Sequence, residues 1–327
     1  MAVTALVAVS VSLGLALGTV FIPIGEITRI LKEGPRQGDT FSLIIWTLRF
    51  PRVLLAFVEG ASLSVAGVVM QGLFRNPMAD PYVLGVASGA SLGAVVGIVM
   101  GIGKALGLWA LPGLAFLGAI GSTLFVYALS TKKGRTDTWT LLLSGIAVSS
   151  LVSSLIALIM VLWRERVEEI VFWTMGGLSR ASWQSVLAAA CYSLPGMWVL
   201  WLQARPLNAL SFGEESAFHL GVAVEKSKRI LLWASALITA SGVAFTGPVG
   251  FVGLVVPHVV RLLTGPDHRW LLPLSALTGG NVLILADLLA RTLRPPLEIP
   301  VGVITALFGA PFFLYLLFKT RRSGMDE

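Results

Sequence analysis

The residue types that carry out covalent or metal chemistry are scarce in this chain of 327 residues, which holds one cysteine and three histidines. Cys191 stands inside an apolar block, and one thiol makes neither a disulfide framework nor a thiolate metal site. His219, His258 and His268 are too scattered for a local metal motif. No G-x-x-x-x-G-K-[ST] occurs, so the chain does not bind ATP through a phosphate-binding loop. No nucleophile–base constellation is visible, and no catalytic or metal-binding residue is assigned. Two acids do stand out. Glu59 and Asp287 fall within apolar segments, where an ionisable group is a functional suspect by default. Arg291 follows Asp287 at i+4, which makes it the obvious ion-pair partner and gives Asp287 a structural role. Glu59 either faces an internal path or reaches toward Arg52, and the sequence leaves both open.

The elements that must position these residues are set by composition. Hydrophobic residues make up 56% of the chain and charged residues 13%, with mean hydropathy +0.85. Soluble domains carry about 25% charged residues, so one large soluble enzyme is excluded, as are a disordered chain and a secreted disulfide scaffold. The apolar residues come in ten blocks, at 3–22, 48–74, 83–103, 108–130, 138–163, 184–203, 229–248, 250–265, 270–291 and 300–319. About 20 such residues cross the hydrocarbon core as a helix, so the fold class is an all-α polytopic membrane protein. Its ten transmembrane helices form a single domain over 1–327. The run from 3 to 22 is longer than the apolar region of a signal peptide and no Lys or Arg precedes it, so it reads as a retained helix. Thr246-Gly247-Pro248-Val249-Gly250 breaks the seventh block from the eighth.

The net charge of +7 suggests nucleic acid only in a soluble protein; here the Lys and Arg sit in short loops, as membrane topology requires. No basic helix is present, so no nucleic-acid partner is expected. The compact clusters at 132–135, 226–229 and 319–322 place their side, with both termini, in the cytoplasm. The 25-residue stretch after the first block reads as an outer loop. Of the two longer connections, about 164–183 outside holds a short amphipathic helix. The other, about 203–229 inside, holds one or two short helices and is large enough to dock a partner.

An internal repeat is visible. Ala61 to Val68 and on to Gly72 matches Ala236 to Val243 and Gly247 at an offset of 175, and Pro81 falls on Pro257 at 176. Five segments separate the copies, so they run in opposite directions, an architecture recurrent in transporters. Gly85, Gly89, Gly93, Gly97 and Gly101 recur at i+4 and present a ridge without side chains for close helix packing.

A family resemblance rests on Leu48-Arg49-Phe50-Pro51-Arg52, then Gly67-x-x-Met70-Gln71-Gly72-x-Phe74-x-Asn76-Pro77-Met78-Ala79-Asp80-Pro81. Trp173-x-Met175-Gly176-Gly177, Arg205-Pro206-Leu207-Asn208 and Gly213-Glu214-x-x-Ala217-x-x-Leu220-Gly221 follow. Leu141-Leu142-Leu143-x-Gly145 lies between Pro81 and Trp173. Gly247-x-x-Gly250-Phe251-x-Gly253-Leu254-x-x-Pro257-His258, Asp267-His268-Arg269, Ala286-Asp287-x-x-Ala290-Arg291 and Pro300-x-Gly302 through Gly309-Ala310-Pro311 complete the series. In this order, over nearly the whole chain, they resemble the permease subunit of bacterial ABC importers for iron complexes and cobalamin.

The resemblance implies a type II importer permease: a homodimer of ten-helix subunits with the substrate path at the dimer axis. Two separate ATPase subunits, which bind ATP and magnesium, would sit on the cytoplasmic face, and a binding protein would dock outside. The chain itself would hold no cofactor, and its surroundings would be inner-membrane lipid. By the same resemblance Arg49, Arg52 and Arg291 face outward to glutamates of the binding protein. Arg205, Pro206, Leu207, Asn208, Leu210, Gly213, Glu214, Ala217, Leu220 and Gly221 form the coupling segment in the ATPase cleft, with Leu207, Leu210, Ala217 and Leu220 as its apolar contacts. Asn76, Met78, Thr138 and Trp139 close the cytoplasmic mouth, Trp139 being larger than the residue expected there. The cargo would be a bulky metal chelate: ferric siderophore, haem or cobalamin. The rival is a secondary transporter driven by an ion gradient, for which Glu59 is the one candidate acid in the path.

Overall fold

The computed structural model describes residues 2–323 apart from 36–37, 103–106, 108 and 133, with the backbone alone for residue 2 and for 316–323. The expected block limits at 103 and 108, and Lys133 of one basic cluster, lie outside the described residues. In chain order the helices are α1 (Ala2–Ala16), α2 (Ile24–Glu33), α3 (Thr40–Leu73), α4 (Val86–Val99), α5 (Ala110–Ser130), α6 (Thr138–Leu162) and α7 (Val167–Thr174). They continue as α8 (Trp183–Leu202), α9 (Ala204–Ser211), α10 (Glu214–His219), α11 (Val224–Thr246), α12 (Val252–Thr264), α13 (His268–Thr292) and α14 (Val301–Ser323). A small antiparallel hairpin, β1 (Thr131–Lys132) with β2 (Arg135–Thr136), joins α5 to α6.

Ten of these helices fall on the ten apolar blocks. Six of them, α3, α5, α6, α8, α11 and α13, are each long and apolar enough to cross a membrane; the others are shorter apolar helices. The stretch from 23 to 47 is not a loop. It holds α2, whose Ile27 and Ile30 are buried while Glu26, Arg29 and Lys32 interrupt the apolar run. It also holds the start of α3, which begins eight residues ahead of the expected 48. There Asp39 caps the helix by accepting from the Phe41 amide at 3.0 Å, and a wider turn over Ile44–Arg49 leads into the apolar part.

The centre of the bundle is α3, 83% buried along its most apolar window where α6 is 17% buried. Lipid is as apolar as leucine, so close van der Waals approach rather than water exclusion holds such helices together. A Cβ on Gly67 would lie 1.8 Å from the Gly253 carbonyl oxygen of α12, and one on Gly60 would lie 2.2 Å from that of Gly279 in α13. The glycine ridge of α4 works in the same way. Gly89 and Gly93 pack on the backbone of α5, where a Cβ would meet the Gly118 and Leu114 carbonyls at 2.3 and 2.1 Å.

The repeat copies are inverted. α3 starts beside Asp287 and Glu298 and ends against Leu207 and His268. α11 starts beside Glu214 and Thr136 and ends where Thr246 accepts from Gly177 at 2.7 Å. Their connections interlock: the Tyr82 hydroxyl donates to the Val249 carbonyl at 3.0 Å and accepts from its amide at 2.8 Å. Gln71 donates to the Leu254 carbonyl at 3.0 Å. The break at Gly247–Gly250 is real, with Phe251 in the left-handed region just before α12.

Candidate functional site

At the end of the bundle that carries α7, the three arginines expected to point outward do something else. The last carbonyls of α1 have no partner within their own helix, and a membrane supplies none. Arg49 donates to the carbonyls of Leu15 at 2.6 Å, Ala16 at 3.0 Å and Val20, and Arg291 donates to that of Gly14. Arg49 is 5% exposed and Arg291 7%. The expectation of outward docking is therefore corrected for both: their guanidinium groups cap α1, at the end where its dipole favours a cation. Arg52 keeps some access. Its Nε contacts both Asp287 oxygens at 3.0 Å, and its Nη1 reaches Glu298 at 2.9 Å. The main partner of Asp287 is thus Arg52 from α3; Arg291 on the same helix stands at 3.6 Å.

Beside Arg52 a cavity of about 420 Å³ opens at this end. Trp109, Trp173, Arg166, Arg180 and Glu298 are among its walls. Arg166 pairs loosely with Glu169 at 3.8 Å. Glu59 does not reach this cavity. It is fully buried against Gly242 of α11, and neither carboxylate oxygen has a hydrogen-bond partner among the described residues.

At the opposite end, residues 203–221 form two short helices. In α9 the exposed Arg205 and the half-buried Pro206 occupy the first turn, where a proline is tolerated, and Leu207 and Leu210 are buried. Leu207 packs where Gly72 leaves room at the end of α3, since a Cβ there would meet it at 2.9 Å. Asn208 donates to Asp267 at 2.8 Å and accepts from the His268 amide at 2.9 Å, tying α9 to the start of α13. Bonds from Arg269 and Asn208 hold the Asp267 carboxyl well below the usual carboxylate range. Gly213, at φ 122°, turns the chain into α10, where Ala217 is buried and Leu220 and Gly221 are exposed.

The apolar face offered by this segment differs from the expected one. Leu207, Leu210 and Ala217 anchor it to the bundle, and of the four residues only Leu220 is exposed. Phe212 at 80%, Phe218 at 69% and Leu220 at 71% exposure make the outward ridge. The burial of Leu207 and Leu210 follows from packing of α9 against α3 and α13, and that of Ala217 from packing of α10 against α9 and α11, which the sequence of a six- or eight-residue helix does not display.

The residues expected at the mouth flank the Gly213–Glu214 junction. Arg75, next to Asn76, lies 3.6 Å from where a Gly213 Cβ would be. Asn76 accepts from the Met78 amide at 2.9 Å, Thr138 donates to Glu214 at 3.3 Å, and Trp139 is 75% exposed. Sequence reasoning missed Glu298, Thr136, Glu225 and Lys228. Glu225 and Lys228 do stand at i,i+3 on one helix, but the partners that give the four their roles, such as Arg52 for Glu298 and Glu225 for Thr136, are remote in the chain.

An inverted-repeat bundle with a charged cavity at one end and a two-helix projection at the other is the framework of a multi-pass transport permease. The chain belongs to the FecCD transport family, whose model matches residues 6–319. It is a transport subunit rather than an enzyme. The cobalamin import system permease protein BtuC of Halobacterium salinarum is 47% identical over 279 residues, 85% of this chain and 74% of that protein. The hemin transport system permease protein HmuU of Yersinia pestis is 43% identical over 286 residues, 86% of this chain and 85% of that protein. A solved inward-facing ABC transporter assigned to the metal-chelate type superposes with TM-score 0.86 at 32% identity, covering 97% of this chain and 98% of that one. PsaBC from Streptococcus pneumoniae shares the fold, with TM-score 0.59 at 17% identity over 88% and 94% of the two chains.

Proposed function

We propose that this chain is the membrane half of an ABC importer for a bulky metal chelate, working as a homodimer in the bacterial inner membrane. The observation that carries the reading is the segment 204–221, with its buried anchors and its open ridge of Phe212, Phe218 and Leu220. An ATPase subunit would seat on that ridge, one per copy, bringing ATP and magnesium that this chain does not bind. That end is then cytoplasmic, and both termini lie there.

The cavity beside Arg52, Arg166 and Arg180 belongs to the opposite end, where an extracytoplasmic binding protein docks. Arginines at the rim of a docking surface, such as the exposed Arg180 and the half-buried Arg166, steer and orient a partner more than they add affinity. A second copy supplies the other wall of the substrate path, and an open apolar hollow of about 650 Å³ lined by Met175, Phe251, Leu307 and Pro311 is available to form part of it. Asn76, Met78, Thr138 and Trp139 close the cytoplasmic mouth. The cargo class follows from what the relatives' names state: cobalamin, hemin, ferric dicitrate and ferric hydroxamate are all metal chelates.

The ion-driven alternative is not favoured. It needs an acid in the path, and Glu59 is sealed between α3 and α11. Reconstitution with the ATPase and binding-protein partners in vesicles tests the proposal. Uptake of radiolabelled cobalamin, hemin or ferric hydroxamate should require internal or external ATP at the α9 end. Uptake that follows a proton gradient and ignores ATP overturns it.

A further inference from the structure

Lys228, in the second turn of α11, is 2% exposed, and nothing in the transport scheme above uses it. An ammonium has three N–H donors and no acceptor. All three are taken: by Glu214 at 2.9 Å, by Glu225 at 3.3 Å and by the Thr136 carbonyl. The network closes on itself, because Glu225 also accepts from the Thr136 amide at 3.1 Å and Glu214 from the Thr138 hydroxyl at 3.3 Å. Glu214 opens α10 of the projecting segment, Thr136 ends the α5–α6 hairpin, and Thr138 and Trp139 make the first turn of α6. Among the described residues, the hydrogen bonds joining 204–221 to this hairpin and to α6 are the one from Thr138 and those that pass through Lys228.

We propose that Lys228 is the positioning residue that transmits movement of the coupling segment to the cytoplasmic mouth. Its buried ammonium fastens the start of α10 to the hairpin and to the first turn of α6. The α9 half of the segment is fastened separately, by Leu207 and Asn208, to α3 and α13. A push on the projecting ridge therefore reaches two groups of helices by two routes, and the one through Glu214, which holds both the Lys228 ammonium and the Thr138 hydroxyl, leads to Thr138 and Trp139. A charge buried with its partners resists separation, since parting them strands it without compensation. The α10 end, the hairpin and the head of α6 thus move as one body. The inference rests on the reading of 204–221 as the ATPase contact.

The test uses the chain assembled with its ATPase subunits in lipid nanodiscs, with W139C as a reporter in a C191S background. The rate of labelling by a water-soluble maleimide is compared without nucleotide and with ATP plus vanadate. The reporter complex should show a change on the order of tenfold, the size of an ordinary coupling between sites; in K228M it should fall below about twofold while the ATPases stay bound and hydrolyse ATP. K228R, which keeps a cationic donor facing Glu214, Glu225 and the Thr136 carbonyl, should restore most of the change, which a merely structural role would not. If K228M does not assemble, E214A decides: it leaves the ammonium with Glu225 and Thr136 alone, and it should still lose most of the response. A full response in K228M or E214A overturns the proposal, and so does a K228R protein that assembles without regaining it. If the reporter complex itself binds no ATPase or shows no change, the importer reading has failed first, before Lys228 is touched.

Discussion

At the α7 end Arg49 and Arg291 are turned into the protein and spend their donors on the carbonyls that end α1. At the α9 end the segment 204–221 buries Leu207, Leu210 and Ala217 and leaves Phe212, Phe218 and Leu220 in the open. By residue type, the arginines look like the docking surface and the leucines like the core, or the reverse, with equal ease. What separates them is what each leaves unsatisfied. A guanidinium at a helix C-terminus in a membrane answers carbonyls that have no partner within their own helix, so it is drawn inward. A phenylalanine on a six-residue helix beyond the membrane has no packing of its own, and it stays outside as a contact waiting for a partner.

The sharpest way to break that contrast is R49A. Each hydrogen bond from a charged donor contributes about 1.5–3 kcal/mol and orphaned carbonyls in lipid add to the loss, so R49A should cost about 3–5 kcal/mol. The loss should appear as a lower thermal midpoint and poor yield in detergent, with R49K recovering only part because lysine lacks the planar fork. An R49A protein as stable as its parent, but unable to engage a binding protein, would return Arg49 to the docking surface.

The next pair sharpens the other end. L207A removes a fully buried side chain and should cost about 2–4 kcal/mol by loss of packing and the cavity left behind. F218A, 69% exposed, should leave stability within about 0.5 kcal/mol. It should instead weaken the ATPase complex by about 2 kcal/mol, roughly thirtyfold in Kd, if Phe218 is a central anchor of the interface. Thermal unfolding and titration of the ATPase subunit onto the detergent-solubilised permease separate the two effects. Equal behaviour of the two variants in both measurements would erase the distinction between anchor and ridge.

How much of this the sequence displays depends on range. The ten spans are legible because each is a local block of apolar residues, and the break before Phe251 because Gly247 and Pro248 announce it. The start of α3 at Thr40 is hidden, because Thr40, Ser42 and Thr47 dilute the apolar run while the helix continues through them. α2 is hidden because charges at Glu26, Arg29, Lys32 and Glu33 make it look like loop. The sequence shows that 203–221 is short and broken by Gly213, but which of its faces is buried depends on Gly72 and Asp267, at 135 and 59 residues' remove from Leu207 and Asn208. Arg49 illustrates the limit best: its partners are backbone carbonyls, which every residue owns and no sequence pattern marks.

The smallest effect lies in the fastening of α9 to α13. Asp267 carries bonds from Asn208 and Arg269, which hold its carboxyl low in the folded protein. A carboxyl with a depressed folded pKa lends stability above its unfolded value, near 4, and loses it as the pH falls through the lower folded one. Asparagine keeps the N-cap of α13 and removes only the charge. The stability of the parent should therefore exceed that of D267N by a constant margin from neutral pH to about pH 5, and the margin should shrink below about pH 4. It should be small throughout, because the group is exposed and water screens its pair with Arg269. Denaturant unfolding of both proteins across this range gives the margin directly. A margin that widens toward acid would mean that Asp267 is held protonated, and the α9 fastening would then be as apolar in character as the packing of Leu207 on Gly72.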